Sequence, residues 1–380
     1  MKLTFFGSVL GYHQEGLCNA FFDLLGDDFR FVAFGDLPDC RKQAGFKNLA
    51  DVYPYVIKAY TEEGKKKAEE LMKSSDVAII GAVSTSVVKT CVNNSVETYL
   101  FSERFFKRGA WRAFIPHTRK KVQARAAGFK ENNFNVLCAS AYLPYDLSLC
   151  GWRGKAYKWG YFPDVKEYDI NDLISKKSLK NEPIKILWAA RLIDWKHPEK
   201  AIKVAKHLKD KGVNFHLNII GYGELEDSIK QKISEFKLNN YIDFLGKKTP
   251  AEVREEMESS DVYLMTSDYN EGWGVVINEA LNSGCIVIAD ERAGSVPYLV
   301  QNGFNGFTYN DDITTVYSIF DKLTDDYDFK CKMQIKAYEF ILNNASPQIA
   351  AKRFLELCAD DKHFEFGVCS AAPIIKSKWF

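Results

Sequence analysis

The sequence predicts an α/β protein made of two doubly wound, Rossmann-like domains, and three observations carry that expectation. The chain has 380 residues, too many for one ordinary core but enough for two. Short apolar runs alternate with helical patterns along its whole length. The alternation breaks once, over a polar stretch that closes on Pro183, and then begins again.

In the first half, Leu3–Phe6, Phe29–Phe34, Val77–Ile80, Thr98–Phe101 and Asn135–Cys138 read as buried parallel strands, which defines an N-terminal domain over residues 1–163. The opening text, MKLTFFGSVLGYHQEG, holds one lysine and a short apolar run, so it reads as a first strand and loop instead of an export signal. Between Phe162 and Pro183 the segment DVKEYDINDLISKKSLKNEP carries charge of both signs and reads as the domain connection. The second half restarts with strands at Ile184–Ala189, Phe215–Ile220, Tyr241–Leu245, Val262–Thr266 and Cys285–Ala289, separated by amphipathic segments such as His197–Lys209. These give a C-terminal domain over residues 184–345. Residues 346–380 read as helix followed by FGVCSAAPIIKSKWF, a crossover that returns to the N-terminal domain. Two open sheets in tandem are expected to face each other across a cleft lined by the carboxyl ends of their strands.

Composition narrows the function. Charged residues make up 27% of the chain, hydrophobic residues 46%, and the formal net charge is +1, which disfavours both disorder and general nucleic-acid binding. The nine cysteines are scattered and form no CxxC pair, so neither a disulfide framework nor a zinc site is expected, and a reducing cytoplasm fits best. His13, His117, His197, His207, His216 and His363 show no ligand spacing. No apolar stretch approaches the roughly 18 residues of a spanning helix, so any membrane contact is peripheral.

The most informative text is NEGWGVVINEALNSG, Asn270 to Gly284, which follows a predicted strand and opens a predicted helix near Gly274. Free N–H groups at a helix start suit a phosphate. Gly272 and Gly274 let the backbone approach a ligand, and Glu271 and Glu279 place one carboxylate in the loop and one about a turn inside the helix. A carboxylate accepts two hydrogen bonds from a diol. Upstream, ILWAARLIDWKHPEKAIKVA ends a strand and then offers Arg191 and, five residues later, Lys196, two cations within reach of a diphosphate. Each motif taken alone also fits a solvated loop; the combination is what points to a nucleotide.

On these motifs the chain resembles family 4 of the retaining glycosyltransferases, group 1 enzymes of the two-domain GT-B fold. Arg191 and Lys196 match the family's cation pair. Glu271 and Glu279, with seven residues between them, match its glutamate pair. GYGE at Gly221–Glu224, FLGKKTPAEV around Gly246, and SDVYLMTSDYNEGWG fall in the same order, and the likeness is strong over about Ile184 to Asn310. The resemblance implies that Arg191 and Lys196 bind the donor diphosphate, that Glu271 holds the donor sugar at the catalytic centre, and that Glu279 holds the ribose. Gly221, Gly246, Gly272, Trp273, Gly274 and Val275 would complete the donor site. It implies a UDP- or GDP-sugar donor, no metal, and a saccharide or lipid-linked saccharide acceptor of cell-surface polysaccharide synthesis.

The N-terminal half departs from the pattern. The glycine pair that often opens the family's first loop is replaced by spaced glycines, Gly7, Gly11 and Gly16, and the family's frequent N-terminal histidine has no counterpart near GAVSTS or FSERFFKRG. Glu103 either takes that place at the reaction centre or forms a structural pair with Arg104. A non-catalytic nucleotide-sugar binder, or an epimerase or hydrolase of the same fold, therefore stands beside the transferase. From Arg104 to Lys130 the chain holds nine Lys or Arg and no acid, with Phe105, Phe106, Trp111 and Phe114 interleaved. This reads either as a face for an anionic membrane or as a solvated helix whose aromatics belong to the core.

Overall fold

A computed structural model describes residues 1–38, 48–360 and 363–377. Cys40 and the last three residues of the C-terminal text lie outside these. Among the described residues the chain divides into two compact units, Met1–Asp164 with Ser346–Phe380, and Val165–Ala345.

The first unit is built on seven parallel strands: β1 (Leu3–Gly7), β2 (Phe29–Ala33), β3 (Val56–Lys58), β4 (Val77–Ile80), β5 (Glu97–Ser102), β6 (Phe134–Cys138) and β7 (Ala156–Lys158), in the order β3-β2-β1-β4-β5-β6-β7. Every residue of β1, β4 and β6 is buried, as expected for strands covered on both faces. The helix Pro347–Asp360 packs against the helix Tyr12–Leu25, driving Phe354 edge-on between Phe21, at 5.7 Å, and Tyr99, at 5.0 Å. The chain beyond it runs along the outer strand β7, where the Lys158 N–H donates to the Ser370 carbonyl at 2.8 Å and the Ala372 N–H to that of Ala156 at 2.9 Å. The tail thereby covers an edge that would otherwise present unpaired backbone groups.

The second unit holds six parallel strands: β8 (Ile184–Ala189), β9 (Phe215–Ile220), β10 (Ile242–Gly246), β11 (Val262–Met265), β12 (Ile286–Asp290) and β13 (Gly306–Tyr309), in the order β10-β9-β8-β11-β12-β13. Both sheets are therefore doubly wound, as the sequence predicts. Three strands escaped the sequence reading, β3, β7 and β13. They are three or four residues long, VIK, AYK and GFTY, and too short to show a period.

The stretch between Phe162 and Pro183 is not a free connection. From Val165 it belongs to the second unit, and its charges meet buried partners. Asp169 caps the helix Ile170–Ser175 by accepting from the Asn171 and Asp172 N–H groups. The buried Lys177 Nζ donates to the carbonyls of Met257, Ser260 and Ser283 at 2.7–2.9 Å, satisfying orphan acceptors where two helices end. Burial pushes the Lys177 amine below the ordinary lysine range. Beside it, the fully buried Asp261 accepts from Lys330 Nζ at 3.0 Å, Gln334 Nε2 at 3.0 Å and the Lys185 N–H at 2.8 Å. Removing one partner of such a pair strands the other charge, so Asp261→Ala is expected to destabilise the second unit by about 3–5 kcal/mol. The check is a lower urea midpoint that Asp261→Leu combined with Lys330→Met largely restores.

Candidate functional site

In the second sheet the first strand, β8, lies between β9 and β11, so the winding direction reverses between β8 and β11. Ligands of open parallel sheets bind at that point, outside the carboxyl ends of the strands. Arg191 and Lys196 follow β8, and the Asn270–Gly274 loop follows β11. The fold thus brings the two strongest sequence motifs to one place.

Lys196 and Glu271 form a direct ion pair, both side chains 13% exposed. Arg191 and Lys196 flank the indole of Trp195, with the guanidinium 5.9 Å and the ammonium 4.4 Å from its centre. The backbone of this loop is pinned to the end of β11. Thr266 Oγ1, which accepts from the buried Trp188 indole at 2.8 Å, donates to the Lys196 carbonyl, and the Asp268 N–H donates to the Trp195 carbonyl at 3.1 Å. A small cavity at the ends of β8 and β11 is lined by Ala189, Ala190, Lys196, Thr266 and Val276.

Other predicted residues take distinct places. Gly274 has φ 89°, and a Cβ there would come within 2.6 Å of Met265, so the turn requires glycine. The helix runs Val276–Asn282, with Val275 at its cap. Trp273, next to Gly272, is buried; its indole donates to Asn278 at 3.0 Å and its carbonyl accepts from the Ser295 N–H at 3.1 Å. Burial pushes the Glu279 carboxyl up, opposed by Arg254. Gly221 and Gly246 adjoin, through an N–H···O bond of 2.8 Å, and a Cβ on Gly221 would strike the Ala190 carbonyl beside Arg191.

Sequence reasoning set His197 aside with the other histidines, yet it braces this site. It adopts a left-handed conformation, φ 49°, directly before Pro198, and its ring lies 3.1 Å from Asp268 and 3.3 Å from Glu199. Hydrogen bonds to Asp268 and then to Glu199 outweigh burial and raise its pKa from 6.5 to about 9. The charged ring therefore ties the Lys196 loop to the Asp268–Glu271 loop. No spacing signal marks a partner 71 residues away.

In the first unit the switch point falls between β1 and β4. A polar pocket of about 400 Å³ opens there, lined by Ser8, Gln14, Glu103, Lys107, Arg125 and Tyr161 among others. Glu103 accepts from Lys107 at 2.6 Å and from the Tyr161 hydroxyl at 3.3 Å. Its ion pair is thus with Lys107; Arg104 turns inward to the buried Asp146, at 3.0 Å. Burial first, and Glu103 second, push the Tyr161 hydroxyl well above the ordinary tyrosine range. Arg125 donates to the carbonyls of Gly81 and Val83 beyond β4. Among the described residues no cluster of three or more His, Cys, Asp or Glu is arranged to hold a metal.

The His197 brace gives a pH prediction with a definite sign. Its folded pKa is raised, so its stabilising contribution is complete below pH 6.5 and is lost as pH rises through about 9. Wild type is expected to melt above His197→Gln at neutral pH, with the gap closing as the pH passes the His197 pKa in parallel thermal scans.

Residues 169–340 match the family model for glycosyl transferases group 1. The amylovoran biosynthesis glycosyltransferase AmsK of Erwinia amylovora is 31% identical over 132 residues, 33% of this chain and 32% of its own. The putative colanic acid biosynthesis glycosyltransferase WcaL of Escherichia coli is 30% identical over 130 residues, again 33% and 32%. The chain spans about a third of the length of these relatives. Among solved structures, Anabaena HepE in complex with UDP aligns with a TM-score of 0.66 at 16% identity, over 94% of this chain and 99% of its own. The lipopolysaccharide outer core galactosyltransferase WaaB aligns at 0.62 and 13%, over 90% and 98%. These neighbours share the GT-B fold with both sheets of this protein, and the segment that matches the group 1 glycosyl transferase model carries Arg191, Lys196 and both glutamates.

Proposed function

We propose that this protein transfers a sugar from a nucleotide-diphosphate sugar to a saccharide or lipid-linked saccharide acceptor, with retention of the anomeric configuration, in the synthesis of a cell-surface polysaccharide. The observation that carries the reading is the Lys196–Glu271 pair at the switch point, with Arg191 beside it on the Trp195 ring. Without ligand the two charges neutralise each other. A bound diphosphate offers Lys196 a second anion, and Glu271 is then released toward the hydroxyls of the donor sugar. Glu279, on the following helix, is assigned to the ribose.

In the transfer, the bond from the anomeric carbon to the diphosphate oxygen breaks and a bond to the acceptor oxygen forms on the same face. The departing phosphate oxygen takes the acceptor's proton. Arg191 and Lys196 stabilise the negative charge that grows on the diphosphate, so no metal is required for that task. The acceptor is assigned to the pocket of the first unit, where Glu103, held by Lys107 and Tyr161, offers a carboxylate to a hydroxyl. Glycosyltransferase names among the relatives, in amylovoran and colanic acid synthesis, support the polysaccharide assignment. HepE was crystallised with UDP and with UDP-glucose, which favours uridine over guanosine. The eight cysteines described are all free thiols, in keeping with action on the cytoplasmic side.

Two experiments test the assignment. UDP at about 100 times its dissociation constant is expected to stabilise the wild type by roughly 2.7 kcal/mol, and to leave folded Arg191→Ala/Lys196→Ala unshifted. No shift from UDP, GDP or their sugar conjugates in folded wild type sinks the donor site. With the stabilising nucleotide sugar, Glu271→Gln is expected to lower kcat by about a hundredfold or more. An inverted product by NMR overturns retention, and the absence of any new glycoside favours a pure binder, a hydrolase or an epimerase.

A further inference from the structure

The polar pocket at the switch point of the first unit contains a charge that the protein leaves unbalanced. Among the described residues three cations and one acid line it: Arg104, Lys107, Arg125 and Glu103. Arg104 is matched by the buried Asp146 at 3.0 Å, and Lys107 by Glu103 at 2.6 Å. Arg125 has no carboxylate partner among the described residues. Its guanidinium donates to the neutral carbonyls of Gly81 and Val83 instead, and these bonds use two of the five N–H donors that an arginine carries.

The local backbone brings this cation to the pocket. The helix Pro116–Val122 runs into a wider π turn, Gln123–Ala127, closed by the Gly128 N–H on the Gln123 carbonyl at 2.8 Å. Ala126 and Ala127 are buried and anchor the inner side of that turn, while Arg125 reaches the loop after β4, 42 and 44 residues back in the chain. Turns of this kind are rare inside helices and recur at functional sites, since the extra residue aims a side chain away from the regular helical face.

A buried structural arginine ordinarily recovers its desolvation cost against a carboxylate. Two carbonyls do not offset a full charge, and a neutral donor would satisfy them as well. Burial accordingly pulls the Arg125 guanidinium below the ordinary arginine range, with nothing opposing it. Because Lys107 and Glu103 cancel, the pocket keeps a net positive charge beside about 400 Å³ of space.

A guanidinium fork matches the oxygens of a carboxylate or a phosphate. We propose that this pocket takes a saccharide bearing an oxyanion, carboxylate or phosphate, with the oxyanion on Arg125, Lys107 as the second cation, and Glu103 toward a sugar hydroxyl. The Lys107 side chain is 39% exposed and is free to turn from Glu103 to the ligand, which leaves the carboxylate to the hydroxyl. That the saccharide is the acceptor rests on the glycosyl-transfer reading; the anion site does not.

The test is ligand-observed NMR on the full chain with glucose, glucuronate, glucose 6-phosphate and sulfate as probes. At least one sugar anion is expected to bind about tenfold or more tightly than glucose. Glucuronate as the tighter probe marks a carboxylate site, glucose 6-phosphate a phosphate site. Arg125→Gln keeps an N–H donor in the turn and removes the charge, and is expected to weaken that binding about tenfold or more. Lys107→Gln is expected to weaken it as well, and decides the matter if Arg125→Gln does not fold. Arg191→Ala/Lys196→Ala is expected to bind the sugar anion as the wild type does, which separates this site from the donor's. The proposal is overturned if glucose binds as well as both sugar anions, if the donor-site double variant abolishes their binding, or if folded Arg125→Gln and Lys107→Gln both leave it unmoved. Sulfate bound as tightly as either sugar anion also overturns it, since the site then holds an adventitious ion only. UDP stabilisation of the wild type reports the donor reading separately: UDP binding with no sugar-anion binding sinks the anion site and leaves transfer to a neutral acceptor standing.

Discussion

The second unit is organised around one buried carboxylate. Asp261 lies just before β11 and takes hydrogen bonds from the N–H at the start of β8, from Lys330 and Gln334 on the helix Tyr327–Asn344, and from Ser178 in the preceding segment. It fixes the amino ends of β8 and β11 side by side. Their carboxyl ends, which carry Arg191, Lys196 and Glu271, are then adjacent with little freedom left to adjust. A parallel pair linked through long crossovers has no hairpin to set its register, so a shared anchor outside the sheet takes that role. Lys177 extends the anchor by closing two helix ends that would otherwise bury bare carbonyls.

The residues of the candidate donor site could be picked out in the sequence because they break the local pattern. Arg191, Lys196 and Glu271 stand in loops directly after apolar strands, where nothing structural calls for a charge. The supporting shell was not legible. Asp261, Lys177 and Lys330 sit in polar text that reads as surface, and only the fold shows that they are buried. His197 looks like any isolated histidine until Asp268 is brought to it from 71 residues away. Strands followed the same logic. Long apolar runs declared themselves, while β3, β7 and β13 depend on neighbouring strands for their pairing more than on their own sequence.

The basic segment shows why charge counts alone mislead. Nine cations and no acid between Arg104 and Lys130 suggest one continuous face, yet the fold spends four of them on internal contacts and leaves the others at least partly exposed. The division follows the backbone, since the tight turn at Ala110–Phe114 sorts neighbours inward and outward in steps of three. Arg104 illustrates the inward set. Its carboxylate partner, Asp146, also accepts the Phe105 and Phe106 N–H groups, so a residue that looks basic and superficial in the sequence holds the start of its own segment in place.

On the proposed assignment, the Lys196–Glu271 pair also bears on turnover. A site that binds a diphosphate with two cations risks holding the spent nucleotide as firmly as the donor. Here the vacated ammonium has a carboxylate of its own within immediate reach. With those roles, each departure of the nucleotide would be offset by the re-formation of this ion pair, an internal competitor for the product. Glu271 would return to Lys196 once the sugar has left, which would place the competitor's advantage after the chemical step.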